Sequence, residues 1–236
     1  MIPTWIKRYR LHLLKYAGEF VIIFSSITFT WWFDEWRQAK SDRKEEELLL
    51  TNLQSNLKLD SLNLVNELNN IMESEVVFEK FLDKLRNNDL KDTDSSGYLI
   101  RRLIIAPEFH PNRATFEAIK ATGELKLIKD DSLTQEIMNH YEVTYEELNF
   151  LIDIYNKTAT QTNWNYTIEN HDLTRALSVP KNRIYKLQFS SEKERKLLIN
   201  KIVFTQMANS YSGFRINSTL EKIGKLNNRI SKRLRE

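Results

Sequence analysis

Between Trp36 and Gly97 the chain contains neither proline nor glycine, the two residues that most often interrupt a helix. Within this stretch an apolar side chain recurs at every seventh position. The positions are Leu50, Leu57, Leu64, Ile71, Phe78 and Leu85. This helix-packing stripe predicts one long helix over residues 34–90, roughly 80 Å in length at about 1.5 Å per residue.

The second seam position of the same heptads is mostly polar. It begins with Leu53 but then holds Asp60, Glu67 and Ser74 before Phe81. A two-stranded coiled coil needs an apolar residue there in each heptad. The polar run therefore favours a helix packed inside a mixed bundle, and an oligomeric coiled-coil stalk is the alternative.

The composition narrows the fold class. Five Gly and four Pro in 236 residues leave too few turn residues for a sandwich, a propeller or a many-stranded barrel. Zero Cys excludes a disulfide scaffold, a thiolate metal site and a cysteine nucleophile. Only residues 125–128 and 184–189 resemble strands. We predict an all-α protein in which residues 91–236 complete an elongated helical bundle with the long helix.

Capping signals mark helices in the second half of the chain. Asp130 or Asp131 is suited to begin a helix, and Gly123 is suited to end the one before it. Ser191 and Glu194 form a capping box for the last helix. An apolar series predicts the buried side of that last helix. It comprises Leu198, Ile202, Met207, Tyr211, Phe214, Ile223, Leu226, Ile230 and Leu234.

The segment 16–33, with the sequence YAGEFVIIFSSITFTWWF, predicts a transmembrane helix that continues into the long helix. Its eighteen residues reach roughly 27 Å, close to the thickness of a bilayer's hydrocarbon core. Aromatic and basic residues suited to the membrane interface flank it. They are Trp5, Tyr9, Lys15 and Tyr16 on one side and Trp31, Trp32 and Trp36 on the other. A buried core helix is the alternative, whereas a cleaved signal peptide would need small residues after the apolar run.

Charges around this segment predict its orientation. Lys and Arg tie at four on each side, but residues 1–15 carry theirs without any acidic residue. We predict that residues 1–15 form a basic amphipathic tail in the bacterial cytoplasm and that the domain after the inner membrane is periplasmic. The formal charge of +3 comes from this tail. It does not indicate a nucleic-acid partner, since the basic C-terminal run has no interleaved aromatic residues.

Glu19 is the only carboxylate in the apolar segment. An acidic residue inside a membrane is a candidate functional group. The alternative is a headgroup-level position at which Glu19 forms an ion pair.

No pattern of a catalytic, cofactor-binding or metal site is present. The four histidines, at positions 12, 110, 140 and 171, have no metal-ligand spacing, and neither a glycine-rich phosphate loop nor a G-x-S-x-G motif occurs. We predict no catalysis, no cofactor, no metal and no small-molecule substrate. The expected partners are the lipid bilayer and a protein, either another subunit or a second copy.

Several motifs resemble those of an uncharacterised family of single-pass inner-membrane proteins from Bacteroidota. Tyr16-Ala17-Gly18-Glu19 matches its Y-x-x-G-E membrane segment, and residues 111–123 are similar to its P-N-x-x-x-(Y/F)-E-x-(L/I)-x-x-(S/T)-G segment. Asp130-Asp131-Ser132-Leu133 and the pair Tyr141-Glu142 follow in the family's order. The resemblance implies a periplasmic helical domain with no known activity.

These observations predict a membrane-anchored periplasmic helical interaction or scaffold protein, acting as an accessory subunit of a membrane complex or as a homo-oligomer. One alternative is a signal-transmitting or transport-coupled subunit that uses Glu19. Another is a helical ligand-binding domain in which His110 and residues 157–188 line a pocket.

Overall fold

The computed structural model of the chain describes residues 4–87, 96–170 and 191–236. The side chains of 4–17, 96–98 and 170 are not part of this description. The side chains of the predicted interface residues Trp5, Tyr9, Lys15 and Tyr16 therefore lie outside the description, as does the strand-like segment 184–189.

All of the secondary structure in the described residues is helical, so the all-α prediction is confirmed. The α-helices are α1 (Thr4–Arg86), α2 (Ser96–Ile104), α3 (Ala114–Thr122), α4 (Asp131–Asn139), α5 (Tyr145–Ile152), α6 (Thr158–Asn170) and α7 (Glu192–Arg235). A 3₁₀ turn, Glu124–Leu127, follows α3 and includes most of the other strand-like segment. Two π-helical turns, His140–Thr144 and Asp153–Lys157, join α4, α5 and α6.

Local capping explains where the shorter helices begin and end. The Asp130 carboxylate accepts a 3.0 Å hydrogen bond from the Leu133 backbone N–H and so begins α4. Gly123 ends α3 with φ of +74°, a conformation that L-residues rarely adopt. The Ser191 hydroxyl accepts from the Glu194 N–H at 3.3 Å, which begins α7.

The chain divides into two compact units, residues 1–50 and 51–236. The first unit consists of helix along its described length. Among the described residues, none of the helices combines the length and the apolarity that a membrane crossing requires. The predicted transmembrane helix over residues 16–33 is thus not supported. The polar side chains within it, from Glu19 to Thr30, lower its average apolarity.

The second unit is built around the C-terminal part of α1. The stripe residues Leu57, Leu64, Ile71, Phe78 and Leu85 are buried there, and Leu50 of the first unit is buried as well. One core cluster joins four helices: Phe78, Phe81, Leu82 and Leu85 of α1, Leu99 and Leu103 of α2, Tyr166 of α6, and Leu198 and Ile202 of α7.

Helices α1 and α7 run antiparallel within this unit. The Gln54 side chain donates to the Ser231 hydroxyl at 2.7 Å, and the Gln206 side chain donates to the Glu75 carboxylate at 3.0 Å. As the residue number rises along α1, the number of its partner on α7 falls. This pairing places residues 54–75 of α1 at the same level as residues 206–231 of α7.

Candidate functional site

The first unit exposes a band of apolar side chains around its helix. Every large apolar side chain from Phe20 to Trp36 is exposed, and even the least exposed, Phe33, keeps 46% of its surface. Consecutive helical residues point about 100° apart, so the run from Phe20 to Phe24 covers all sides of the helix. A helix that packs against a globular core carries such residues on one stripe only.

Three of the four hydroxyl groups inside this apolar band donate to carbonyl groups of the helix itself. Ser26 donates to the Ile22 carbonyl, Thr28 to that of Phe24 and Thr30 to that of Ser26, each at 2.8 Å. These hydroxyls therefore need no water to complete their hydrogen bonds.

Of the interface residues predicted at the far end of the band, Trp31 is exposed, and Trp32 and Trp36 belong to an exposed aromatic cluster. Trp32 lies 6.0 Å from Phe29 and Trp36 lies 5.9 Å from Phe33, measured between ring centroids. The Lys40 ammonium lies 5.4 Å from the Trp36 ring centre, within cation–π range. Glu19, the predicted functional acid, is exposed at the opposite end.

In the second unit, the side of α1 that faces away from the core is also apolar. Leu62, Val65, Met72 and Val76 are exposed by 54%, 40%, 60% and 68%, and Asn69 lies among them. Their spacing of three and four residues is that of a coiled-coil seam. This second seam lies opposite the buried stripe.

Helix α7 has a similar outer stripe. Phe204, Met207, Tyr211 and Phe214 are exposed, with Met207 and Phe214 both at 66%. The prediction that Met207, Tyr211 and Phe214 lie on the buried side was wrong. The buried side instead follows Ile202, Thr205, Ala208, Asn209 and Ser212, because the bundle interior at this level is filled with small and polar residues.

The two outer stripes lie on neighbouring helices, and Met72 and Val76 are at the level of the α7 stripe. Glu75 and Gln206 are hydrogen-bonded, and a methyl group at Gly213 would lie 3.6 Å from the Leu68 side chain. Together the eight residues form what we call the outer apolar face: Leu62, Val65, Met72, Val76, Phe204, Met207, Tyr211 and Phe214. Large exposed apolar patches are characteristic of interaction sites.

A buried polar cluster surrounds Asp60, one of the polar seam positions. Its carboxylate accepts hydrogen bonds from the Asn112 backbone N–H and from the Tyr145 hydroxyl, both at 2.8 Å. Burial raises the pKa of Asp60, and the two hydrogen bonds oppose that shift. The carboxylate thereby ties the connection before α3 to both α1 and α5.

The π-helical turn His140–Thr144 places the aromatic rings of His140 and Tyr141 next to this cluster. The His140 ring centre lies 4.4 Å from that of Tyr145, and the Tyr141 ring stacks on Phe116 at 4.6 Å. Burial, with a contribution from the charge of Lys222, lowers the pKa of His140 to about 4. His140 is therefore neutral at physiological pH and acts as a packed core residue.

Acidic residues near His140 are engaged by basic side chains of the unit. Glu142 pairs with Lys120, Glu146 with Arg113, and Glu147 with Arg215. No group of three metal-ligating side chains occurs in the part of the chain that the structure describes.

A cavity of about 790 Å³ opens between α1, α2, α6 and α7 of the second unit. Its lining includes Glu67 and Ser74 of α1, Trp164 and Thr160 of α6, and Asn209 of α7. The predicted pocket residue His110 is exposed and is not among the lining residues, although Glu108 is. From the predicted segment 157–188, Thr160 and Trp164 do line the cavity, and residues 171–190 lie outside the described residues.

The sequence contained patterns for two features that were not predicted: the outer seam of α1 and the contacts of its polar seam positions. The seam of Leu62, Val65, Met72 and Val76 was present as a second apolar periodicity in α1. The polar seam positions Asp60, Glu67 and Ser74 marked the places where the helix contacts the polar cluster and the cavity.

Comparisons with protein-family models, with curated proteins and with solved structures found no match for this chain. The resemblance to the Bacteroidota membrane proteins stays a prediction that rests on sequence motifs alone.

Proposed function

We propose that this protein is a membrane-anchored helical interaction protein that associates with a second copy of itself. In this proposal the apolar band of the first unit inserts into the bilayer, and the outer apolar face of the second unit forms the contact between copies. The observation that carries the proposal is the exposure of large apolar side chains on every side of the first unit's helix.

The free energy of hydration supports a lipid environment for the apolar band. Leaving one large apolar side chain in water, instead of burying it, costs about 1.5–3 kcal/mol. The band contains more than ten such residues, so an aqueous setting is strongly unfavourable. Lipid surrounds a helix on all sides, tolerates hydroxyls that are bonded within the helix, and accommodates tryptophans at its interface.

The orientation follows from the basic residues before the band. We propose that residues 1–15 lie in the cytoplasm and that residues 51–236 lie in the periplasm of a bacterial inner membrane. The chain has no cysteine, so single introduced cysteines can report the topology. An impermeant maleimide added to intact spheroplasts should label Arg235→Cys but not Ile2→Cys. The reverse labelling pattern would overturn the orientation, and labelling of both would overturn the membrane crossing.

Membrane insertion has a matched test within the first unit. Ile23→Lys places a charge in the apolar band, whereas Leu48→Lys places one at an equally exposed apolar residue outside the band (61% and 64% exposed). Flotation with vesicles of bacterial polar lipid should fall strongly for Ile23→Lys and remain unchanged for Leu48→Lys. Equal flotation of the two variants would count against insertion.

The composition of the α1 seam favours a second copy as the occupant of the outer apolar face. Asn69 lies in the middle of the seam, and an asparagine amide can both donate to and accept from its own copy. An asparagine at one inner seam position favours a parallel two-stranded pairing in register. Leu62, Val65, Met72 and Val76 would then each meet the same residue of the second copy.

The mass of the purified protein in mild detergent distinguishes a monomer from a dimer. Native mass spectrometry should detect a dimer for the full chain and a monomer for Met72→Glu. Asn63→Glu, which adds the same charge at an exposed α1 residue outside the seam, should remain dimeric. A monomeric parent chain would exclude the second copy, and a stoichiometric foreign subunit in its place would favour the accessory-subunit role.

A further inference from the structure

Helix α6 and the π-helical turn before it share with α7 a line of buried polar side chains that mostly satisfy one another. The Asn163 side chain donates to the Thr205 hydroxyl at 2.9 Å and to the Leu103 carbonyl at 2.8 Å. Two turns further along α7, Asn156 donates to the Ser212 hydroxyl at 2.6 Å. These pairs fill the bundle interior on either side of one further polar residue, Asn209.

Asn209 is the exception in this line. It lies one turn after Thr205 and one turn before Ser212, and it is 95% buried, with 5% of its surface exposed. Its side chain forms no hydrogen bond with any residue that the structure describes. Asn209 lines the cavity, and its amide atoms are not fully enclosed. A ligand atom or water in the cavity can therefore complete their hydrogen bonds.

The cavity has the size and the walls of a small-molecule site. Its volume of about 790 Å³ lies within the range of roughly 300–1,000 Å³ that is typical of such sites. Ile71, Ile104 and Pro107 supply apolar surface, and the half-exposed Trp164 supplies an aromatic wall. Trp164 is the only tryptophan among residues 51–236.

The lining holds two arginines, Arg101 and Arg102, and two glutamates, Glu67 and Glu108. Arg102 is paired at 2.6 Å with Glu73, which does not line the cavity, and the Glu67 carboxylate accepts from the Glu108 backbone N–H. Because one arginine then remains against two glutamates, the lining does not favour a phosphate. An entirely apolar ligand would leave Asn209 and the other polar groups unpaired.

We propose that this cavity binds a small uncharged saccharide, with the Asn209 amide bonded to a hydroxyl of the ligand and the Trp164 ring packed against its C–H face. Amide, carboxylate and guanidinium side chains offer the planar donors and acceptors that adjacent hydroxyls require. The aromatic wall covers the apolar face of the sugar ring. This inference is independent of the membrane and dimer proposals, because all lining residues belong to the second unit.

The single tryptophan of the second unit makes binding measurable in the full chain. With 5-fluorotryptophan incorporated, the ¹⁹F resonance of Trp164 is assigned by its loss in Trp164→Phe. Glucose, N-acetylglucosamine and cellobiose are then added at roughly 10 mM, enough to occupy a millimolar site. At least one sugar should shift the Trp164 resonance in a saturable manner and leave the four N-terminal resonances unchanged. Glycylglycine, a zwitterion of similar polarity, should not shift it.

Two variants separate ligand binding from folding. Asn209→Ala should weaken binding about tenfold, the loss expected when a hydrogen bond to a buried group is removed. Asn217→Ala, at an exposed position of α7, should bind normally. If Asn209→Ala does not fold, as judged by circular dichroism, Asn209→Asp keeps the size of the side chain and should still weaken binding. No shift with any sugar, a shift with glycylglycine alone, or equal binding by the Asn209 and Asn217 variants would overturn the proposal.

Discussion

The two units of the chain differ in the exposure of their apolar side chains. From Phe20 to Trp36 the first unit exposes every large apolar side chain, and three of its four hydroxyls are bonded within the helix. The second unit buries Leu57, Leu64 and Phe78 of the same helix. An apolar run stabilises a fold only where other helices pack against it. An apolar run that no other element packs against instead indicates that the chain contacts lipid or a partner.

The largest contrast is expected from removing one apolar side chain in each unit. Leu64→Ala creates a cavity in the core of the second unit and should lower its free energy of unfolding by about 3 kcal/mol. Ile22→Ala, at a residue that is 67% exposed, should leave that free energy nearly unchanged. Urea unfolding followed by circular dichroism in detergent measures both. Similar losses for the two variants would show that the first unit has a folded core of its own.

Acid should destabilise the second unit through His140. Its pKa is about 4 in the folded chain, against 6.5 for an unperturbed histidine. Between these values the unfolded chain binds a proton that the folded chain does not. The stabilising contribution is therefore complete above pH 6.5 and is lost as the pH falls to about 4, by about 3 kcal/mol.

Unfolding free energies at pH 7 and pH 4.5 test this effect. His140→Gln should reduce the difference between the two pH values, provided that the variant folds at pH 7. His110→Gln, at an exposed histidine, should leave the difference unchanged. An unaltered pH dependence in His140→Gln would contradict a buried neutral histidine.

A smaller loss is expected from the polar cluster. Tyr145→Phe removes the hydroxyl that donates to Asp60 and should cost about 1–3 kcal/mol, because a buried carboxylate loses a partner. Tyr155→Phe makes the same change at an exposed tyrosine and should cost less than about 0.5 kcal/mol. Thermal unfolding at pH 7 distinguishes the two. Equal costs would mean that the Tyr145 hydroxyl contributes nothing to the cluster.

The smallest effect should come from Glu19. If the chain is a structural interaction protein, Glu19→Gln should leave both flotation and dimer mass unchanged. Loss of dimerisation with normal membrane association would instead support the signal-transmitting or transport-coupled alternative. Native mass spectrometry of the parent chain and the variant, purified side by side, provides the measurement.

Much of the architecture was predictable from local patterns. The absence of helix-breaking residues predicted α1, and the caps at Asp130 and Ser191 predicted where α4 and α7 begin. These signals act over a few neighbouring residues, so they require no knowledge of the remaining chain. The outward direction of Met207 and Phe214 was not predictable in the same way. A helix with two apolar faces does not indicate which face meets the core.

The all-helical fold, the long heptad-patterned helix and the apolar segment near the amino terminus were predictable from the sequence, since periodicity and capping are local properties. The roles of the polar seam positions depend on contacts between distant parts of the chain. The tertiary structure joins Asp60 to Asn112 and Tyr145, and it places Glu67 and Ser74 beside the cavity that Asn209 lines. A polar group buried within a core is unfavourable unless a partner reaches it. These partners lie far away along the chain, and a local sequence pattern does not show which distant residues come together.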